Sequence, residues 1–281
     1  MSFDAAITYA ERHTLHALLI AVHGEIAVTR AGPGWEMTRP HALYSGTKSF
    51  WGITAAAAAQ DGLLELDEPV GATINEWPAR SPQAAVTVRQ LLTLTAGYAF
   101  GGMGNAVPTP ERALEIPLKD EPGAVFTYGG VPLQVFGEVL RRKVAPRYAS
   151  PHAYLEARVL ARIGMTIDHW RRLRDNSQPL PTGAFVTAPE WLNFGRLLLE
   201  RGAGVIDAAR FAQCTTGSAA NPAYGLGLWL VHRDGELAAL YASGAGGQGL
   251  YVLPARGIVA VRFGQSASWN HAAFLKRLEN G

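Results

Sequence analysis

The chain has 281 residues, of which 48% are hydrophobic and 17% are charged, a composition typical of a folded globular protein that excludes extended disorder. Its net charge is only +2 and no run of five like charges occurs, so nucleic acid is not expected as a partner. The single cysteine, Cys214, excludes an internal disulfide and a cysteine-based metal site, and we expect neither a metal nor a cofactor.

The N-terminal segment predicts a short helix at residues 3–13. It starts with Met1-Ser2-Phe3-Asp4, which lacks the basic start and the apolar run of a signal peptide. No apolar stretch is long enough to span a membrane. We therefore expect a cytoplasmic protein without a membrane partner.

Two apolar runs, at residues 15–22 and 26–29, predict the first two strands. His23-Gly24-Glu25 lies between them, and β-branched residues on both sides of a glycine-containing connection are typical of a β-hairpin. A helix is predicted at residues 46–60. Gly62 suits the left-handed C-cap that would end it.

The start of that helix carries the sequence Ser45-Gly46-Thr47-Lys48. Residues three positions apart share a helix face, so the Lys48 amine can lie beside the Ser45 hydroxyl. In the first turn, free backbone N–H groups and the helix dipole favour a developing negative charge. The pattern indicates a serine nucleophile with its own base. An N-cap serine followed by a solvated lysine is the alternative.

Helical patterns dominate the middle of the chain and strand-like patterns the end. Helical spacing occurs at residues 87–94 and 131–143, and a closing helix is predicted at 269–278. The strand-like runs are residues 225–232, 237–241, 249–253 and 257–263.

Strands at both chain ends predict one antiparallel sheet built from the two termini. The expected fold is therefore α/β (α+β), with helices flanking the sheet and a mostly helical domain inserted into it. We place the sheet domain at residues 1–62 and 180–281, and the inserted helical domain at residues 63–179.

Four further segments follow the Ser-x-x-Lys pattern. They are residues 63–70 (LLELDEPV), 86–97 (VTVRQLLTLTAG), 121–128 (EPGAVFTY) and 243–249 (SGAGGQG). In this order and spacing the chain resembles, over about residues 15–265, the serine hydrolases of the β-lactamase and penicillin-binding-protein superfamily. The resemblance is to the class C β-lactamase-like branch, which includes esterases, D-aminopeptidases and amide hydrolases, and it implies a β-lactamase/transpeptidase-like fold.

The resemblance implies roles for three side chains. Ser45 would be the acylated nucleophile, and Lys48 would be the base that takes its proton once burial lowers the pKa of the amine. Tyr128 matches the tyrosine of the Tyr-x-Asn motif and would pass a proton to the leaving group and then activate water. A core tyrosine after a turn is the alternative for Tyr128.

Two positions depart from the family pattern. Gly130 stands where Tyr-x-Asn has its asparagine, so the amide that orients the lysine and a substrate carbonyl is absent. Gly244 stands where Lys-Thr-Gly or His-x-Gly has its cation, so selection for a substrate carboxylate should be weak. Arg262 is the nearest candidate in sequence to restore that charge.

The resemblance also implies an oxyanion hole, which needs only backbone N–H groups. We expect its donors to be the N–H of Ser45 and that of a residue on the strand at 244–247. Gly247 is preferred, and Gly246 and Ala245 are further oxyanion or substrate-binding candidates. Further substrate contacts are expected from Gln248, which follows that strand, and from loop aromatics. The aromatic candidates are Tyr98, Phe100 and Trp35.

The sequence therefore predicts a serine hydrolase that cleaves a small-molecule ester or amide through an acyl-enzyme. A D-peptidase or β-lactamase, and a biosynthetic acyltransferase, remain alternatives within the same family. A catalytically weakened binding or sensor protein is the alternative from another class, favoured by Gly130. The sequence does not determine the substrate or the oligomeric state.

Overall fold

A computed structural model describes residues 2–281 of the chain. Its larger sheet has six strands in the order β2-β1-β9-β8-β7-β6, and every neighbouring pair is antiparallel. These strands are β1 (Leu15–Val22), β2 (Glu25–Ala31), β6 (Trp229–Arg233), β7 (Glu236–Gly244), β8 (Gln248–Leu253) and β9 (Ile258–Gly264). The first and last strands of the sequence are not both at the edges but pair with each other as neighbours, β1 with β9, which confirms the predicted sheet built from both termini.

A second, three-stranded sheet has the order β3-β5-β4. It consists of β3 (His41–Ala42), β4 (His169–Trp170) and β5 (Ala184–Val186), which the sequence did not predict. Strands of two or three residues are too short to show the alternation of apolar and polar positions that identifies a strand.

Ten α-helices accompany the sheets in residues 2–281. They are α1 (Asp4–Glu11), α2 (Ser49–Gln60), α3 (Pro82–Ala85), α4 (Val88–Leu92), α5 (Pro110–Leu114), α6 (Val131–Val144), α7 (Pro151–Leu155), α8 (Ala188–Leu199), α9 (Ala208–Cys214) and α10 (His271–Glu279).

The larger sheet is covered on both faces. Every residue of β8 and β9 is buried, as expected for strands that lie between two helical layers. On one face α1 and α10 pack against the sheet in a core cluster that includes Phe274 and Leu278. On the other face α8 packs against β8 and β9. The hydrophobic core on this face also includes residues of α2 and α6.

The hairpin and the central helix form for local reasons. His23 and Gly24 both have positive φ, +49° and +89°, as a two-residue hairpin turn with the right-handed twist requires. Helix α2 is buried on all sides, which its five consecutive alanines permit, and it ends before Gly62 at φ +72°. The Leu63 N–H then donates to the Ala58 carbonyl (2.9 Å), as in a Schellman C-cap.

One predicted strand begins later than expected. The run at residues 225–232 is a loop until Trp229, where β6 begins. Gly227 has φ +79°, and an added Cβ there would lie 2.3 Å from the Lys48 carbonyl oxygen. This glycine-rich segment therefore packs directly on the backbone that carries the lysine, which a regular strand could not do.

Candidate active site

Ser45 lies in a 3₁₀ turn, Tyr44–Lys48, that leads into α2. The regular α-helix begins only at Ser49, four residues after the serine, so the predicted start at Gly46 is corrected. Tyr44 adopts a left-handed φ of +48°, which reverses the chain just before the serine. The Ser45 hydroxyl is partly exposed, at the floor of a small cavity.

Lys48 extends from the end of this turn toward Ser45. Its Nζ lies 3.1 Å from Ser45 Oγ and 3.2 Å from the Pro181 carbonyl oxygen. The side chain is only 2% exposed and has no ion pair among the described residues. Burial without a compensating carboxylate disfavours the ammonium form and lowers the pKa of Lys48 to about 7.

Tyr128 lies over the same amine. Lys48 Nζ is 4.8 Å from the centroid of the Tyr128 ring, and the ring stacks on Trp229. Burial raises the pKa of the Tyr128 hydroxyl, while the nearby Ser45 hydroxyl opposes that shift. The structure therefore brings together Ser45, Lys48 and Tyr128, which are separated by up to 83 residues in the sequence.

Backbone atoms occupy the place of the missing asparagine side chain. A Cβ added to Gly130 would lie 2.0 Å from the Gly102 carbonyl oxygen, and the Gly130 N–H donates to the Gly101 carbonyl (3.0 Å). Lys48 instead meets the Pro181 carbonyl. The residue before this proline, Leu180, accepts a hydrogen bond from Trp51 Nε1 (2.6 Å), which fixes the segment.

Restoring the family asparagine is therefore expected to harm the protein. Gly130→Asn should lower the free energy of unfolding by about 1–3 kcal/mol, because its Cβ would force the Gly102 backbone to move. Urea denaturation measures this loss. Gly62→Asn is the control for the same exchange without a clash: nothing lies within 4 Å of an added Cβ there, and its left-handed φ of +72° is a conformation that asparagine adopts at helix C-caps at a smaller cost. A Gly130→Asn protein as stable as the control would contradict the close contact.

Gly244 is glycine for a similar reason. It is the last residue of β7 and packs against the segment that precedes Ser45. A Cβ added to Gly244 would lie 2.0 Å from the Leu43 carbonyl oxygen. A lysine or histidine cannot occupy this position without separating the strand from the turn that carries Ser45. The absence of the family's cation here is therefore a consequence of packing.

The residues predicted for the oxyanion hole differ in their position relative to the cavity at Ser45. Ala245, not Gly247, lines the cavity together with Ser45. Neither the Ser45 N–H nor the Ala245 N–H donates to a backbone or side-chain acceptor within residues 2–281, so both are free for a ligand. The chain turns away after Ala245 because Gly246 and Gly247 have left-handed φ values of +78° and +84°.

Arg262 stabilises the turn at residues 245–247 through hydrogen bonds to its backbone. Its side chain is fully buried, and Nη1 donates to the carbonyls of Gly246 (2.9 Å) and Gly247 (2.8 Å). Nη2 donates to the carbonyls of His13 and Thr14, and the guanidinium lies 4.1 Å from the centroid of the Trp269 ring. The suggestion that Arg262 meets a substrate carboxylate is therefore corrected, because its guanidinium is buried and both terminal nitrogens donate to backbone carbonyls.

Gln248 is also a supporting residue. Its side chain is buried and donates to the carbonyls of Ala245 (3.1 Å) and Gly264 (2.6 Å), while its Oε1 accepts from the Gly264 N–H (3.2 Å). These bonds use both the donors and the acceptor of the amide. The predicted substrate contact is therefore replaced by a role in fixing the Ala245 backbone.

The cavity in front of Ser45 has a volume of about 230 Å³. Its walls are mostly apolar and come from segments that the sequence did not single out. Those residues are Met103, Gly104, Val107, Pro181 and Thr182. The Pro-Leu-Pro-Thr-Gly run at residues 179–183 marks a loop in the sequence but carries no pattern that identifies a substrate wall.

The aromatic candidates do not line this cavity. Tyr98 is buried in the core, and burial raises the pKa of its hydroxyl, which has no hydrogen-bond partner among the described residues. Phe100 is 71% exposed. Trp35 stacks on His16 (3.6 Å between ring centroids) in a neighbouring crevice.

Two further observations concern metals and membranes. Within residues 2–281, no group of three or more His, Cys, Asp or Glu side chains is arranged to hold a metal ion. No helix in that range has both the length and the apolar character that crossing a bilayer requires.

Solved structures share this fold at low sequence identity. A protein from Bacillus anthracis, provisionally described as a 6-aminohexanoate-dimer hydrolase, is 18% identical with a TM-score of 0.81, covering 98% of this chain and 80% of its own. A penicillin-binding protein from Bacillus halodurans is 19% identical with a TM-score of 0.76, covering 98% and 99%. EstCE1, described as a hydrolase with promiscuous acyltransferase activity, is 16% identical with a TM-score of 0.78, covering 99% and 96%.

The sequence comparisons are of two kinds. No curated protein matches the sequence. A family model described as Beta-lactamase matches residues 10–279, which is nearly the whole chain and includes every residue of the site. The fold and the geometry around Ser45 agree with that match, and the chain belongs to the β-lactamase family.

Proposed function

We propose that the protein is a serine hydrolase that cleaves a small ester or amide through an acyl-enzyme on Ser45. The observation that carries this proposal is the 3.1 Å contact between Lys48 Nζ and Ser45 Oγ. Because burial lowers the pKa of Lys48 to about 7, much of the amine is neutral near neutral pH and can accept a proton. No acidic residue lines the cavity, so nothing there holds the lysine in its charged form.

The first half of the reaction follows from these positions. Neutral Lys48 takes the Ser45 proton as Oγ forms a bond to the substrate carbonyl carbon. The carbonyl oxygen becomes an oxyanion, which accepts hydrogen bonds from the free N–H groups of Ser45 and Ala245; donors of this kind contribute roughly 3 kcal/mol each. The bond to the leaving group then breaks, and the leaving group receives a proton through Tyr128.

The second half releases the acyl group. A water molecule attacks the acyl carbon, and its proton goes to neutral Lys48 through the Tyr128 hydroxyl, which gives its own proton to the amine as it takes one from water. The oxyanion forms again between the same two N–H groups, and Ser45 Oγ leaves with the proton that Lys48 returns. An alcohol or amine in place of water would give acyl transfer instead of hydrolysis. The acceptor therefore decides between a hydrolase and an acyltransferase.

Tyr128→Phe tests the proton relay. This change removes the hydroxyl but keeps the ring that stacks on Trp229, so the melting temperature should stay nearly constant. We expect kcat for p-nitrophenyl butyrate to fall by roughly 10²-fold or more, as for the loss of a general acid–base. Steady-state kinetics and thermal melts on the same preparation measure both quantities. An unchanged kcat would assign Tyr128 to packing alone.

The pH dependence of kcat/KM tests the base. Only neutral Lys48 can accept the Ser45 proton, so kcat/KM for an uncharged ester should rise with pH through about 7 and then level off. The pKa of Tyr128 is raised and should not contribute in this range. Initial rates between about pH 5.5 and 8.5 measure the curve. A flat profile over this range would contradict a lysine base with a lowered pKa.

The proposed function itself is tested by covalent labelling. Intact mass spectrometry after exposure to a fluorophosphonate should show one adduct, absent from Ser45→Ala, and steady-state assays should show turnover of activated esters. Nitrocefin should be the poorer substrate, because Gly244 offers no cation to its carboxylate and the missing charged hydrogen bond corresponds to roughly 10- to 100-fold. Absence of both adduct and turnover would favour a binding or sensor protein. Preference for nitrocefin would favour a β-lactamase.

A further inference from the structure

A second cleft adjoins the cavity at Ser45 and has a volume of about 750 Å³. It is rich in arginine and contains no acidic residue. We call it the arginine cleft and define it by its lining residues, Asn105, Ala106, Val107, Pro108, Thr109, Arg112, Arg171, Arg172, Leu173 and Arg174. Four of the chain's 25 basic residues therefore face one space.

Most of this positive charge has no carboxylate partner. Arg112 alone forms an ion pair, with Glu115, and both side chains are exposed. Arg172 donates to the Asn176 carbonyl (2.8 Å), and Arg174 forms no hydrogen bond or ion pair with the described residues. The neighbouring Asp175 carboxylate accepts from the N–H and the hydroxyl of Ser177 instead (3.1 and 2.6 Å).

The arginine cleft is joined to the reaction site by shared walls. Val107 lines both the arginine cleft and the Ser45 cavity. Gly104 also lines the Ser45 cavity, and its carbonyl accepts a hydrogen bond from Arg171 (2.7 Å), which in addition donates to Asn105 Oδ1 (3.0 Å). A substrate bound at Ser45 can therefore extend past Val107 into a region of unpaired positive charge.

We propose that the arginine cleft binds an anionic group of the substrate, a carboxylate or a phosphate, at a distance from the bond that Ser45 cleaves. The guanidinium fork of arginine matches the oxygens of both groups. This proposal rests on the proposed hydrolase function and specifies its substrate as an anionic ester or amide. It differs from β-lactam recognition, because the charge is reached through Val107 and not through Gly244.

The test compares two esters that differ only in charge. Mono-p-nitrophenyl suberate has a terminal carboxylate, and methyl p-nitrophenyl suberate has that carboxylate capped. We expect the wild-type protein to prefer the anionic ester by roughly 10-fold or more in kcat/KM, as one charged hydrogen bond provides. The preference should decrease when NaCl is raised from about 0.05 to 0.5 M, since salt screens exposed charges.

The variant Arg172→Gln/Arg174→Gln should lose this preference and keep its turnover of the capped ester within about twofold. Arg171 is left in place because it holds Gly104 and Asn105. The matched control, Arg12→Gln/Arg201→Gln, makes the same change of charge at two exposed arginines of the sheet domain that form no ion pair among the described residues, and it should keep the preference. A p-nitrophenyl ester with a terminal phosphonate, compared in the same way, identifies which anion is preferred.

The outcomes separate the two proposals. Turnover of the capped ester, which has no anionic group, tests the hydrolase function independently of the arginine cleft. Wild-type preference for the capped ester, retention of the anionic preference in the Arg172/Arg174 variant, or equal loss in the control would overturn the cleft proposal. If neither ester is cleaved, calorimetric binding of suberate decides: binding that the Arg172/Arg174 variant loses supports the cleft, and no binding overturns it.

Discussion

Ser45→Ala is expected to lower kcat for p-nitrophenyl butyrate by roughly 10⁴- to 10⁶-fold, because the atom that forms the acyl-enzyme is removed. The fold should not change. Among the described residues the Ser45 hydroxyl is hydrogen-bonded only to Lys48 Nζ, and the residue is half-buried, so its hydroxyl contributes little to packing. Steady-state kinetics at matched enzyme concentration, with thermal melts of both proteins, measure the two effects.

Ser49→Ala is the matched control for the loss of a serine. It lies four residues further on, is fully buried, and its hydroxyl donates to the Gly46 carbonyl (2.7 Å). Its replacement should cost about 1 kcal/mol of stability and leave kcat within a few fold. Full esterase activity in Ser45→Ala, or equal losses of activity in both variants, would show that Ser45 is not the nucleophile.

Lys48→Met should lower kcat by roughly 10³-fold or more and at the same time stabilise the protein. The loss of rate follows from removing the base that contacts Ser45 Oγ. The gain in stability is expected because the wild-type protein must keep an amine in a buried site with no carboxylate partner, and the variant need not. Its pKa is lowered from 10.5 to about 7, and each pKa unit corresponds to about 1.4 kcal/mol, so the gain at pH 7 should be a few kcal/mol.

The size of this gain in stability depends on pH in a defined way. Between about pH 7 and 10.5 the unfolded chain binds more protons at Lys48 than the folded chain, so this residue makes the wild type more stable as pH rises. The advantage of Lys48→Met should therefore be largest below pH 7 and shrink toward pH 10.5. Urea denaturation of both proteins at several pH values measures the difference.

Lys48→Arg separates charge from base function. A guanidinium cannot lose its proton near neutral pH, so this variant should be as inactive as Lys48→Met. It should also be less stable than the wild type, because it places a permanent charge and a larger group in a site that is only 2% exposed. An active Lys48→Arg protein would exclude Lys48 as the base.

The sequence by itself determined the local features of this protein. The hairpin at His23-Gly24 was predictable because a turn depends on the conformations open to two adjacent residues. The helix that ends before Gly62, and the strands β1, β8 and β9, were predictable because apolar spacing and a C-cap are properties of a short window. The contact between Ser45 and Lys48 belongs to the same class, since three residues along one turn fix the distance between side chains.

The position of the oxyanion hole required the tertiary structure. A glycine-rich run such as residues 244–247 allows several chain directions, and only its packing selects one. Arg262 and Gln248 hold the carbonyls of the turn, and Gly246 and Gly247 take left-handed conformations, so Ala245 becomes the residue beside Ser45. No local pattern in the sequence distinguishes this arrangement from one in which Gly247 lies beside Ser45.

The environment of the site was also decided by contacts between distant segments. The Pro181 carbonyl reaches Lys48 across 133 residues, and the Gly102 carbonyl fills the place of a side chain at Gly130. The arginine cleft is formed where residues 105–112 meet residues 171–174. In the sequence, the arginines of these two segments show no pattern that distinguishes them from other surface residues. The direction of the chain and its long-range packing depend on many segments at once, so only the tertiary structure determines which atoms surround each reactive group. The reactive groups themselves can be identified in the sequence.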